Sequence, residues 1–156
     1  MQYKIIVVGK TKNKDIQALE AVYMERLGHF ADVTVRVVKA ASEQTNQSHD
    51  AIKRMEAEAI EKEIPKNSYV LAFDEAGKEY TSPEFANFLD KKIVESGGSI
   101  CAIIGGTFGL DKTIHARADS VVSLSRMTFT HEFVRVMLFE QLYRAHMIIS
   151  GRPYHY

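Results

Sequence analysis

With a single cysteine, Cys101, in 156 residues, the chain has no disulfide framework and no set of thiolates to hold zinc, which points to a reducing compartment. Excess charge is missing too. Twenty Lys and Arg balance twenty Asp and Glu, so no global field draws the chain to nucleic acid or anionic lipid, and any such affinity must come from a local patch. Nor is there a long apolar run at the start: MQYKIIVVGK holds four apolar residues before Gly9 and Lys10, too few for a signal sequence or a membrane span. A soluble, cytoplasmic protein is expected. There is no internal repeat and no low-complexity tract, and the one long polar stretch, AASEQTNQSH at 40–49, reads as a surface loop and not a domain linker. At this length and 46% hydrophobic content, residues 1–156 should form one domain with a substantial core.

What is present is an alternation. YKIIVVG (3–9), VTVRVV (33–38), YVLAF (69–73) and ICAIIGG (100–106) are short, β-branched and nearly continuously apolar, the pattern of strands covered on both faces and therefore parallel. Between them lie helical spacings: Ile16, Leu19, Val22, Tyr23 and Leu27; Ile52, Met55, Ala59 and Ile60; Phe85, Phe88, Leu89 and Ile93. Asp15 is the expected cap of the first helix, Ser82 before Pro83 that of the third, and Gly97 and Gly98 close the third. The order βαβαβαβ implies an open α/β sheet.

Two strand ends carry hints of a site. In SICAIIGGTFGL (99–110), Gly105 and Gly106 end a strand, where open parallel sheets bind ligands, and glycine there permits positive φ and lets a ligand lie against the main chain. A bare strand-to-loop turn fits the spacing equally well, since the run is neither a dinucleotide fingerprint nor a phosphate loop. At the end of YVLAFDEAGK, Asp74 and Glu75 offer carboxylates to a ribose or an ammonium group. The plainer alternative is a tight turn in which Asp74 bonds its own backbone and Gly77 takes a left-handed conformation.

The last third is the least ordinary part. A Ser/Thr-rich segment leads into a helix expected over about 131–149, with Thr130 as its N-cap. That helix carries two apolar stripes: Val134, Met137, Leu138, Leu142, Ala145 and Ile149, and Val136, Phe139, Tyr143 and Met147. One stripe suffices to dock on a sheet, so the second implies another partner, and a second copy of the chain is the expected one. Around these stripes gather Arg126, His131, Arg135, Arg144, His146, Arg152 and His155, a local cationic concentration that the balanced total conceals. Arg135 and Arg144 are equally able to pair with Glu132 and Glu140 along the helix.

VVGK (7–10), YMERLG (23–28), FDEAGK (73–78), IIGGTFGL (103–110), LSRMTFTHEFVRVMLFEQLYRA (124–145) and RPYH (152–155) together resemble the RlmH family of SPOUT methyltransferases, from the first strand to the last residues. The resemblance implies an open, mostly parallel sheet with helices on both faces and a C-terminal trefoil knot, where general topology would lead one to expect no knot. It also implies a homodimer that uses S-adenosyl-L-methionine, without a metal, to methylate N3 of a pseudouridine in 23S rRNA of the assembled ribosome. By the same resemblance the cofactor contacts fall at Phe73, Gly105, Leu124, Ser125, Arg126, Met127, Thr128 and Phe129. Catalytic candidates are His131, Arg135, Tyr154 and His155, and the tail residues Arg152, Tyr154 and His155 belong to the substrate site, reaching across to the partner subunit. Arg135 is expected to favour the N3-deprotonated base and Tyr154 to position the nucleotide or stack on it.

Three positions depart from the family pattern: Phe73 replaces a leucine, Thr130 a proline, and Tyr156 a terminal basic residue. Balanced charge fits recognition of a preassembled ribosomal surface better than capture of free RNA. Two alternatives are a SPOUT enzyme acting on another RNA, such as tRNA, and a dimer that binds the cofactor or the ribosome without catalysis.

Overall fold

In the computed structural model, which describes residues 1–41 and 47–154, the chain runs β1 (Gln2–Val8), α1 (Lys14–Gly28), β2 (Asp32–Val38), α2 (His49–Glu61), β3 (Tyr69–Glu79), α3 (Ser82–Glu95), β4 (Ser99–Ile104), α4 (Lys112–Arg117), β5 (Ser120–Ser123) and α5 (His131–Ile149). Residues 42–46 of the polar stretch lie outside the described residues. The five strands form one sheet in the order β2-β1-β4-β3-β5, and every pairing is parallel. The expected α/β architecture is present, extended by the short α4 and by β5 at the edge.

The apolar runs are continuous because both faces of each central strand are covered. Tyr3, Ile5 and Val7 join Leu71, Phe73, Ile100, Ala102 and Ile104 in a core shared with α1, α3 and α5. Ile6 and Val8 join Val70, Ala72, Cys101 and Ile103 in a second core beneath α2 and α4. Each such large side chain contributes about 1.5–3 kcal/mol on burial. Cys101 is fully enclosed, and burial pushes its thiol up to about 12, so it stays a neutral apolar filler.

The helix caps differ from expectation by one or two residues. Asn13, not Asp15, caps α1, its side chain accepting from the N–H groups of Asp15 and Ile16. Thr81, not Ser82, caps α3 and forms a reciprocal box with Glu84, which leaves Ser82 and Pro83 in the first turn. In both cases the acidic or proline residue complements the first turn, while the cap is the polar residue just outside it.

The two stripes of α5 are both used within the chain. The helix packs against α1, α3 and the sheet, so Leu138, Leu142 and Ala145 on one stripe and Val136 and Phe139 on the other are all buried. A seat between two helices covers more circumference than a seat on a sheet alone, so the stripes by themselves do not require a second copy. Apolar side chains left outside include Leu19 and Val22 on α1 and Met127, Phe129 and Phe133 where the chain enters α5.

Candidate functional site

Strand order reverses between β1 and β4: the chain leaves β1 toward β2 and leaves β4 in the opposite direction toward β5. Loops diverge there, opening a crevice beyond the carboxyl ends of the strands. A cleft of about 900 Å³ occupies this place. Its floor is the end of β3 and the glycine loop after β4, and its far wall is the segment from Leu124 to the first turn of α5.

The glycine loop is shaped mainly by the chain itself. Gly105 and Gly106 do not have positive φ; Gly109, at φ +80°, makes the left-handed turn. Gly106 and Gly109 pair across the loop. A Cβ on Gly105 would stand 2.8 Å from the Gly109 carbonyl carbon, and one on Gly106 would stand 2.7 Å from Oε2 of Glu56. What keeps side chains away at this strand end is therefore the folded-back loop and a buried carboxylate.

The end of β3 combines both sequence readings. Asp74 accepts a hydrogen bond from Ala76 N–H at 3.0 Å, as a tight turn would have it, and its other oxygen lies 3.2 Å from His115 Nε2 on α4. Gly77, however, is not left-handed. Phe73 and Lys78 both stand opposite Val122, and a Cβ on Gly77 would lie 2.5 Å from the Val122 carbonyl carbon. Close approach to β5, not a positive φ, is why glycine stands there. Glu75 accepts from the Thr128 hydroxyl at 2.8 Å and so ties this excursion to the far wall.

The far wall is held in turn by short polar links. Ser123 donates to the Ser125 carbonyl at 2.9 Å, and the Met127 N–H donates to the Ser125 hydroxyl at 3.0 Å. Thr130 caps α5 as expected, accepting from Phe133 N–H. The first turn of α5 then grips the β1–α1 loop from two sides. Glu132 accepts from the N–H groups of Lys12 and Asn13 at 2.9 and 3.3 Å, which hold its carboxyl below the ordinary value. Arg135 donates to the Val8 and Gly9 carbonyls at 2.7 and 2.9 Å and to the Thr11 hydroxyl at 2.8 Å.

Of the residues singled out from the sequence, Phe73, Gly105, Leu124, Ser125, Met127, Thr128, Phe129 and His131 meet at this cleft. Arg126 is exposed in the same segment but is not among its walls. Burial first and the Arg135 charge second lower the pKa of His131, favouring its neutral form. Arg135 needs a correction. Its side chain is 2% exposed and its guanidinium is spent on β1 carbonyls, so it anchors a loop and does not face the cleft. It pairs with neither Glu132 nor another carboxylate within ion-pair distance among the described residues.

The tail lies at the other end of α5, a helix of 19 residues and so about 27 Å long. Tyr154 donates to Glu140 at 2.9 Å and lies under the Arg144 guanidinium at 4.1 Å; burial, first, and that carboxylate push its hydroxyl up to about 12. Arg152 lies over the Phe30 ring. His155 and Tyr156 fall outside the described residues. Among the described residues, then, Arg152 and Tyr154 do not meet the cleft of their own chain. Glu56 and His115 were missed by the sequence reading, and Glu132 was read only as a pair for Arg135; Glu56 left a trace, as an acid four residues from both Ile52 and Ile60 on the buried side of α2.

An open parallel sheet with a cleft at its switch point, walled by a glycine loop and by a returning C-terminal segment, defines a ligand-binding α/β enzyme fold. The comparisons make the class specific. The family model described as "Predicted SPOUT methyltransferase" matches residues 1–155. The chain is 38% identical over 156 residues to the ribosomal RNA large subunit methyltransferase H of Geobacter metallireducens, covering 100% of this chain and 99% of that one. It is 39% identical over 160 residues to the protein of the same name from Clostridium beijerinckii, covering 99% of each. Among solved structures, a probable methyltransferase from Bordetella pertussis Tohama I superposes with a TM-score of 0.58 at 12% identity, covering 92% of this chain and 95% of that one, which speaks for the fold. The chain belongs to the SPOUT methyltransferase family.

Proposed function

We propose that this protein is an S-adenosylmethionine-dependent methyltransferase that modifies N3 of a pseudouridine in large-subunit ribosomal RNA, working as a homodimer in the cytoplasm on the assembled ribosome. The observation that carries the reading is the cleft at the switch point, in a chain similar over its whole length to large-subunit rRNA methyltransferases. Its residues fit the cofactor: Ile104, Leu110 and Leu124 offer apolar walls to an adenine, the glycine loop offers main-chain groups, and Asp74 and Glu75 place carboxylates at the mouth. Bound there, the cofactor supplies an electrophilic methyl group.

The chain's own task is to bring the uracil N3 into line with that methyl and to take its proton, because the neutral base is a poor nucleophile. His131 is the proton acceptor in this reading: it lines the cleft, and burial, first, and the Arg135 charge lower its pKa. Arg135 acts through others, fixing the β1–α1 loop and favouring neutral His131. Arg152, Tyr154 and His155 reach the cleft of the partner subunit in this reading, which agrees with Arg152 and Tyr154 standing apart from the cleft of their own chain. The exposed apolar side chains of α1 and of residues 127–133 form the dimer surface. The knotted topology is supported by the path of the chain, which leaves edge strand β5 and returns over the ends of β3 and β4 to grip the β1–α1 loop.

The test is transfer of labelled methyl from S-adenosylmethionine to ribosomes from cells lacking this enzyme, with naked rRNA and tRNA alongside. Label in N3-methylpseudouridine from intact ribosomes alone is expected. Label only in tRNA, or cofactor binding without transfer to any RNA, would overturn the reading.

A further inference from the structure

The buried carboxylate beneath the glycine loop has no part in the chemistry above, yet its placement is demanding. Glu56 is 5% exposed. Oε1 accepts a hydrogen bond from Ala41 N–H at 3.2 Å, in the segment after β2. Oε2 has no hydrogen-bond partner among the described residues and stands 2.7 Å from where the first carbon of any side chain on Gly106 would be. The Val8 side chain at the end of β1 closes on the same point. One carboxyl thus joins the segment after β2 to the Gly106 backbone in the floor of the cleft. An unsatisfied buried oxygen is costly, and a core of Ile52, Ala57 and Ile60 has no need of it.

Helix α2 meets the same loop at a second point: the His49 ring stacks on Phe108, with ring centres 3.9 Å apart. Phe108 and Gly106 both line the cleft. The loop is therefore supported from behind by α2 at both ends, and its exposed side is what the methyl donor meets.

We infer that Glu56 is a positioning residue for the methyl donor: its carboxyl sets the height of the Gly105–Gly106 backbone in the floor of the cleft. The inference rests on the donor-site reading above. What the loop meets is an acceptor for the Ala41 N–H and a side chain that reaches Gly106, so a neutral isostere of the same length should serve. Shortening the side chain should not.

The experiment measures S-adenosylmethionine affinity by calorimetry, and KM for donor and for ribosomes, in wild type, Glu56→Gln, Glu56→Asp, Glu56→Ala and Gly105→Ala. Glu56→Asp keeps the charge but withdraws it by one methylene. It and Glu56→Ala are expected to weaken donor binding and raise donor KM about tenfold or more, leaving ribosome KM unchanged, whereas Glu56→Gln stays within about threefold of wild type. A purely structural role would lower melting temperature without separating the two KM values. Should Glu56→Ala not fold, the contrast of Gln with Asp decides alone. Wild-type donor affinity in Glu56→Asp, or equal losses in Gln and Asp, overturns the inference. If Gly105→Ala weakens the donor and the Glu56 variants do not, only Glu56 is misassigned; if none of them changes donor affinity, the site itself is.

Discussion

Replacing Arg135 separates two roles that the sequence left together. In the structure its guanidinium makes three hydrogen bonds to Val8, Gly9 and Thr11, respectively 127, 126 and 124 residues away in sequence. Arg135→Met keeps the apolar stem and removes all three, leaving two backbone carbonyls at the end of β1 without that partner. A hydrogen bond to a charged group is worth about 1.5–3 kcal/mol, and an orphaned buried acceptor costs about 1–3 kcal/mol. Removing the burial cost of the cation offsets part of this, so a net loss of about 3 kcal/mol is expected. For a domain of this size that is a melting-temperature drop of about 6–12 °C. Because Asn13 and Ile16, just beyond the released loop, line the cleft, donor affinity should fall as well. Arg135→Lys, with a single ammonium that cannot fork between the carbonyls, should lie about halfway. Thermal unfolding and donor titration measure both effects. If Arg135→Met melts within about 2 °C of wild type and binds donor normally while losing turnover, the residue faces the substrate and the anchoring account is wrong.

Gly77→Ala should lower melting temperature and donor affinity together, since a Cβ 2.5 Å from the Val122 carbonyl carbon must push β5 and the adjoining Leu124 wall outward; an unchanged variant would mean that the excursion yields freely. Folding lowers the pKa of His131 and His146, chiefly by burial, so their contribution to stability is complete above the unfolded value of about 6.5 and is lost as pH falls through the lower folded values. Melting temperature should therefore decline on acidification below about pH 6.5, well before the capping carboxylates Glu84 and Glu132 titrate, and a flat profile from pH 7 to 5 would contradict it. Methyl transfer should fall over the range in which His131 protonates. Because the tail is proposed to act in trans, coexpressing inactive His131→Ala and Tyr154→Ala chains should recover about a quarter of wild-type activity through heterodimers with one intact site; no recovery would place Tyr154 and His131 in the same subunit's site or in none.

Much of this molecule was legible in its sequence for a simple reason: strands buried on both faces, such as KIIVV and ICAII, carry continuous apolar runs rich in β-branched residues, the pattern of a covered parallel strand. The α5 boundaries were equally plain, because Thr130 marks the start and Gly151 follows the end. Contacts between distant segments were not legible. Nothing local distinguishes an arginine that will bond carbonyls at the end of β1 from one that will pair with Glu132 three residues away along the helix, and the structure chose the carbonyls because α5 enters beside the β1–α1 loop. Gly77 looked like a turn residue, and Gly105 like either a turn or a place for a ligand against the main chain, yet each is needed for close approach by a part of the chain seen only once the strands are ordered. The second stripe of α5 suggested a partner when the partner for most of it was α1 and α3.

The claim on which the rest depends is that the crevice between the glycine loop and residues 124–131 is where the methyl donor is held. Hydrogen exchange with and without S-adenosylmethionine tests it most directly. The account predicts slowed exchange at the end of β3, in 104–110 and in 124–132, with the tail at 150–154 little changed until RNA is added. Saturating donor that protects some other face, and leaves those three segments as they were, would contradict it.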